Sequence, residues 1–311
     1  MDASRVSAIS PALVATGIAV GIVAVSTSAI LIRLADAPAL AVAFWRCALG
    51  AAALAPFAWA AQRRAPRLDA AQRRQLVGAG LLLALHFALF ISSLDYTTVA
   101  SSVLLVTMSP LFVGLGATLF LGEPPSRRVW RGLGAAAAGA IIVGLGNLAA
   151  GELGGRGLLG DAMAFAGAAA VAGYLLIGRA ARQRLPVSVY AATVYAVAAV
   201  ALLAACLATG ASLGIGEDAY DTGTWLAIAA LVVGPQLLGH TVFNSLLSTV
   251  SATVVAVAVL AEPVGAGALA YLVLGETPHW LFAVGAPLVF AGVWLASTRP
   301  RKGAKAPPPV H

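Results

Sequence analysis

Ten runs of roughly twenty mostly apolar residues follow one another along the chain, near 12–32, 39–61, 75–94, 97–121, 128–148, 158–178, 186–209, 224–246, 249–273 and 278–297. That is the length a helix needs to cross the hydrocarbon core of a bilayer. Charged residues make up only 10% of the chain, against about 25% in a soluble domain. Such a mixture cannot cover a water-facing surface, but lipid tolerates apolar side chains on every helix face. The expected fold is an all-α polytopic membrane protein with ten transmembrane helices. The first run is long for the apolar part of a signal peptide, and Asp2 and Arg5 make a weak preceding region, so it is read as a retained helix.

The net charge is +7, yet a nucleic-acid partner is excluded by where the charges fall. They form short clusters between apolar runs: Arg63, Arg64, Arg67, Arg73 and Arg74; then Arg127, Arg128 and Arg131; then Arg179, Arg182 and Arg184. Placing the N-terminus inside puts all three clusters, Arg5, Arg299, Arg301, Lys302 and Lys305 on the cytoplasmic side, leaving Arg33 and Arg156 outside. The outer loops carry Asp36, Asp95, Glu152, Glu217, Asp218, Asp221 and Glu276 instead. A multi-pass protein of the cell (inner or plasma) membrane with both termini cytoplasmic is expected. The stretch 298–311, basic and Pro-rich, reads as a disordered cytoplasmic tail and first of all as a stop-transfer flank.

The chain also repeats itself. "VTMSPLFVGLGATLFLGE", ending at Glu123, matches "VLAEPVGAGALAYLVLGE", ending at Glu276. Pro110 and Pro263 are 153 apart, and the same offset relates Phe90 to Phe243, Gly114 to Gly267, Leu121 to Leu274, Gly132 to Gly285 and Gly139 to Gly292. Two halves follow, 12–148 and 158–297, of five helices each. An odd number per half inverts the second copy in the membrane. Inverted repeats recur in secondary transporters, with the binding site near the midplane between the halves.

With the segment "GHTVFNSLLSTVSATVVAVAVLAEPVGAGALAYLVLGETP" and the looser "TTVASSVLLVTMSP…LGEPPS", the chain resembles the EamA repeat of the drug/metabolite transporter superfamily from about Thr16 to Ser297. The resemblance implies ten helices in two inverted halves around a central cavity. It also implies export or exchange of small metabolites, often amino acids, their relatives or toxic compounds, with no cofactor. Small multidrug members of that superfamily use an acidic residue in the first helix. Here "GIVAVSTSAILIR" has none, so that coupling scheme does not carry over.

Glu262 is the most informative single residue. It falls near the middle of its run, where a carboxylate is costly and faces protein or water. Pro263 follows it and breaks the helix ladder. Glu-Pro can be a cap followed by the first residue of a second half-helix. Ser109-Pro110 gives the same arrangement in the first half, with a better capping residue. Against that capping role stands a coupling or substrate-binding carboxylate, with protons as the candidate coupling ion. Arg46 lies about 10 Å into its run. It either snorkels to the headgroups or faces the cavity, to pair with Glu262 or to hold a substrate carboxylate. Trp45 beside it is either a cavity wall or a lipid anchor.

Other polar groups are weaker signals. His86 and His240 occupy near-equivalent places in the two halves, one residue out of register. Each is either a hydrogen-bonding residue between helices or part of a relay. His240 and Asn244 share a helix face, and Gln236 extends the stripe towards a cavity. Ser26, Thr27 and Ser28, and Tyr174, suggest polar lining on the first helix of each half. Gly122-Glu123 and Gly275-Glu276 read as helix-end turns. Cys47 and Cys206 sit inside apolar runs as packing residues, with no disulfide framework or metal spacing.

The function expected is a secondary transporter, exporting a small metabolite such as an amino acid by alternating access. Efflux of drugs or toxic cations is the alternative. An intramembrane enzyme lacks a nucleophile motif or metal cluster, and a scaffold or sensor lacks its soluble module. The partners are a small-molecule substrate and the lipid bilayer, for a monomer or homodimer.

Overall fold

Apolar runs with no soluble surface have to satisfy their backbone groups internally, and in lipid that leaves helices. The computed structural model describes residues 10–63, 68–97, 99–148, 155–274 and 280–297, and among them there is no strand. The expected cytoplasmic tail, Gly275 and Glu276 lie outside the described residues.

Helix α1 (Pro11–Ser26) starts at a Ser10 cap, whose hydroxyl accepts from the Leu13 amide at 3.2 Å. At Thr27 the rod bends into α2 (Ser28–Leu34). The Ser26 and Thr27 hydroxyls donate back to the Ile22 and Ala24 carbonyls there, a pairing that bends helices. Helix α3 spans Ala39–Gln62, and α4 spans Ala70–Ser93. The latter begins five residues before the apolar run, because Asp69 and Gln72 form a reciprocal capping box. Then come α5 (Val99–Val106), α6 (Ser109–Leu121) and α7 (Arg127–Leu148).

The second half runs through α8 (Gly155–Arg182), α9 (Val187–Thr209) and α10 (Thr222–Leu231). A widened π-helical stretch, Val232–Thr241, leads into α11 (Val242–Leu246). Pro235 within that stretch lacks an N–H and crowds the preceding turn, which a wider turn accommodates. Next are α12 (Ala252–Val259), α13 (Glu262–Leu269), a second π stretch at Ala270–Leu274, and α14 (Leu281–Ser297).

Eight rods among the described residues are long and apolar enough to cross a membrane: Pro11–Leu34, Ala39–Gln62, Ala70–Ser93, Ser102–Leu121, Gly157–Arg182, Val187–Thr209, Thr222–Leu246 and Ala252–Val273. The apolar part of α14, Ala283–Ala296, is shorter, and α7 begins with a basic turn. These two helices stand where the remaining expected spans fall. Large apolar side chains such as Phe120, Val200, Leu272 and Trp294 point outward, as they would against lipid.

The two halves pack as counterparts. Helix α3 lies along α9, and α7 lies along α14. Both pairs run antiparallel. Gly132 abuts Gly292 while Gly139 abuts Gly285, so numbering rises on α7 as it falls on α14. Gly50 abuts Tyr195, while the Ser188 hydroxyl reaches towards the Phe57 carbonyl at 3.5 Å. Equivalent helices that meet antiparallel are related by an axis perpendicular to them. This is the arrangement of inverted repeats. With little hydrophobic drive between helices in lipid, such contacts rest on close approach of small residues, and the buried core is correspondingly rich in Ala and Val.

Candidate functional site

Two rods are broken at mid-depth, and both breaks come from a Pro that cannot continue the hydrogen-bond ladder. Between α12 and α13 the chain turns at Leu260 and Ala261. Between α5 and α6 it turns at Thr107 and Met108. The capping assignment needs correction. Met108, not Ser109, occupies the cap of α6 and makes no side-chain capping bond, while Ser109 and Pro110 open the helix. Likewise Glu262 and Pro263 are the first two residues of α13, and the Ala261 carbonyl accepts the first bond, from Gly265. The Glu262 carboxylate makes no hydrogen bond among the described residues. It is buried and faces a cavity between the halves.

That cavity is narrow, about 50 Å³, room for a few waters and no more. Its polar wall is formed by Ser28 of α2, Arg46, His86, Ser109, Tyr174, His240, Asn244 and Glu262. Its apolar wall includes Val25, Phe87, Phe90, Val106, Val171, Phe243, Val255 and Val259. Of the residues singled out in the sequence, Gln236, Pro110, Pro263, Trp45, Ser26 and Thr27 are absent from the lining; Gln236 stands directly behind it, and the Ser26 and Thr27 hydroxyls are turned back to their own helix.

Arg46 is 1% exposed, so the snorkelling alternative is set aside. Its Nε donates to Gln236 Oε1 at 3.0 Å, and its guanidinium sits 4.0 Å from the centre of the Phe87 ring. The pairing with Glu262 considered above is not made. The two charges face one cavity without an ion pair. One Arg46 terminal nitrogen and the Gln236 amide nitrogen are both buried without a hydrogen-bond partner among the described residues. Unsatisfied buried donors are rare and costly. Trp45 is half-buried and absent from the cavity wall. Its indole donates to the Leu213 carbonyl at 3.0 Å and packs edge-on against Trp225, which fastens the loop after α9 over the start of α3.

The two histidines, distant in sequence, meet with ring centres 6.4 Å apart. His86 Nδ1 lies 3.0 Å from the Gly167 carbonyl, which can only accept. Nδ1 therefore carries the hydrogen. The His240 ring stands edge-on to Phe87.

A hydrogen-bonded ladder continues behind Arg46. The Tyr174 hydroxyl donates to Asn244 Oδ1 at 2.6 Å, and Asn244 Nδ2 reaches the Tyr195 hydroxyl at 3.5 Å. Tyr195 contacts Thr241 Oγ1 at 3.0 Å and the Gln236 carbonyl at 3.4 Å, and the Thr241 hydroxyl donates to that same carbonyl at 3.0 Å. Tyr195 was missed in the sequence because it lies on α9, where the positions three and four residues to either side, Ala191, Ala192, Ala198 and Ala199, are all apolar. Gly50, one turn after Arg46, gives Gln236 its passage, since a methyl there would stand 3.0 Å from Gln236 Cγ.

At the end of α6, Gly122 takes φ +62° and turns the chain, as expected of a helix-end glycine. Glu123 has a further role that was not read from the sequence. Its carboxylate accepts from both Nε and a terminal nitrogen of Arg179, the latter at 2.8 Å. Arg179 also donates to the Leu247 carbonyl, and Arg182 to the Asn244 carbonyl. One mouth of the bundle is thereby tied across the halves. Among the described residues no three His, Cys, Asp or Glu gather as a metal site requires.

The model of the EamA-like transporter family matches residues 11–145 and again 158–298. No curated protein matches the chain. One solved crystal structure is similar over 91% of this chain and 96% of its own, at 22% identity and a TM-score of 0.71. Likeness at that identity concerns the fold alone.

Proposed function

The chain belongs to the EamA-like transporter family, and from that premise we propose that it is a secondary exporter of a small zwitterionic metabolite, an amino acid or close relative. Its two domains are 12–148 and 158–297, of five spans each with α7 and α14 as the last of each half, and both termini are cytoplasmic. The observation that carries the reading is the pair of buried, unpartnered donors on Arg46 and Gln236 in one wall of a cavity that also holds Glu262. A substrate carboxylate satisfies both donors, and a guanidinium fork holds it in a fixed orientation. A substrate ammonium meets Glu262. Between them the valine and phenylalanine walls favour an apolar side chain.

The cavity at about 50 Å³ is too small for such a ligand, so binding requires the halves to separate. The Glu123–Arg179 tie closes one mouth, and alternating access consists of releasing it while the other mouth closes. Glu262 is the coupling group in this scheme. Protonated, it no longer holds an ammonium, and uptake of a proton at Glu262 expels the substrate.

The test is flux in proteoliposomes. Glu262→Gln should bind substrate weakly and lose the pH dependence of transport. If flux and its pH response are unchanged, Glu262 is a residue of the helix break only. Equal transport of cations lacking a carboxylate, unaffected by Arg46→Ala, would favour toxic-cation efflux instead.

A further inference from the structure

The chain holds a second concavity that shares no lining residue with the central one. It is a groove of about 520 Å³ where the end of α3 and the start of α4 meet the first turns of α9, and it is lined by Ala58, Trp59, Leu68, Arg73, Val189 and Thr193 among others. Its floor is small and apolar. Its rim is cationic, and the rim side chains are held in place. The Arg73 Nε donates to the Leu68 carbonyl at 3.2 Å. Arg63, beside the lining, holds its guanidinium over Trp59, 3.6 Å from the ring centre. Neither guanidinium makes an ion pair among the described residues, so the remaining donors of both are uncommitted. The nearest carboxylate in sequence, Asp69, is spent on capping α4.

We propose that this groove is a binding site for an anionic phospholipid. The position matches the ligand at both ends. The groove straddles the ends of two apolar rods, Ala39–Gln62 and Ala70–Ser93, where headgroup and acyl chain meet. A phosphate accepts from two guanidinium edges that are already oriented, one by stacking and one by a carbonyl, and so loses little freedom on binding. An acyl chain then lies along Ala58, Val189 and Thr193 at the seam of α3 and α9. Trp59 sits at headgroup depth, where indoles concentrate. Because α3 carries Arg46 and α9 carries Tyr195, a lipid wedged in their seam touches the helix that brings Arg46 to the central cavity and the helix that supports the ladder behind it.

The experiment uses the full chain in nanodiscs of phosphatidylcholine containing a minor fraction of phosphatidylglycerol, with retained lipid counted by native mass spectrometry after release from the discs. The wild type should retain phosphatidylglycerol over phosphatidylcholine. Replacing Arg63→Gln and Arg73→Gln together should lower that preference about tenfold or more, given what a single basic residue contributes near an anionic surface. Ala58→Phe, which fills the floor and spares both arginines, should lower it as well. Arg127→Gln with Arg131→Gln removes equal charge from the start of α7 on the same membrane face and should leave the preference intact. An equal loss in that control would overturn the site in favour of diffuse electrostatics. So would a thermal shift with inorganic phosphate alone equal to that with the lipid, since a free anion would then suffice. All variants are compared at equal melting temperature in detergent. If the double arginine variant is unstable, Ala58→Phe and the control pair decide the matter.

Discussion

Gly292→Ala should loosen the seam between α7 and α14, and the size of the effect follows from the geometry. A methyl at Gly292 would stand 2.5 Å from the Ala136 amide nitrogen and 2.5 Å from the Gly132 carbonyl oxygen, where ordinary contact begins at 3.4 Å. The opposing atoms are backbone, so no rotamer change makes room, and the helices must part by about 0.9 Å. Overpacking of that kind costs roughly 1–3 kcal/mol. Replacing Gly by Ala in a helix returns up to about 1 kcal/mol. The net loss is on the order of 1–2 kcal/mol, or a melting temperature lower by roughly 2–8 °C. Gly134 on the same helix has nothing within 4 Å of an added methyl, so Gly134→Ala keeps only the propensity gain. Both can be read by the onset of labelling with a thiol-reactive dye, because Cys47 and Cys206 are buried and free. A Gly292→Ala protein that melts no lower than Gly134→Ala would refute the close antiparallel crossing.

Other perturbations address the cavity and its supports. Arg46→Ala should weaken transport or binding of zwitterionic and anionic compounds by about tenfold or more, the loss of a charge-assisted hydrogen bond, while sparing cations. Uniform loss across charges would make the residue structural. Tyr195→Phe removes the hydroxyl that contacts the Gln236 carbonyl and Thr241. It should raise the half-saturating substrate concentration with little change in maximal flux, and an unchanged value would show that the ladder does not orient Gln236. At the protein's edge, the Thr224 amide donates to the Asp221 carboxylate and holds its pKa below the usual value. A depressed folded pKa gives stability that is complete above the ordinary carboxylate range, near pH 3.9, and is lost as pH falls through the folded value. The margin of the wild type over Asp221→Asn in melting profiles should therefore be full above that range and shrink as pH falls below it.

The sequence carried the architecture further than the site. Run length announced the helices, and the 153-residue offset announced the two halves, because Pro and Gly leave marks that apolar exchange does not erase. The breaks at Pro110 and Pro263 were legible for the same reason. The cap at α6 was not, since Ser before Pro is a statistical preference and Met108 happened to fall one step earlier in the turn. The convergence of Arg46, Gln236, His86 and His240 could be suspected only from each residue's cost in lipid. Which of them would touch depends on how α3, α4 and the π stretch cross. Tyr195, Glu123 and Arg179 carried no such signal. A tyrosine in an apolar run is unremarkable, and the pairing of Glu123 with Arg179 spans the two halves.

A chain built from two counterparts related by a perpendicular axis looks much the same when turned over. If the halves were identical, the form open to one side of the membrane and the form open to the other would be mirror roles of one structure, with equal energies and equal dwell times. Direction would then be set by the gradients alone. Ser109 and Glu262 occupy equivalent places at the two breaks but differ by a charge. In the proposed scheme that difference removes the degeneracy, and through Glu262 the proton concentration on either side sets which way the molecule rests.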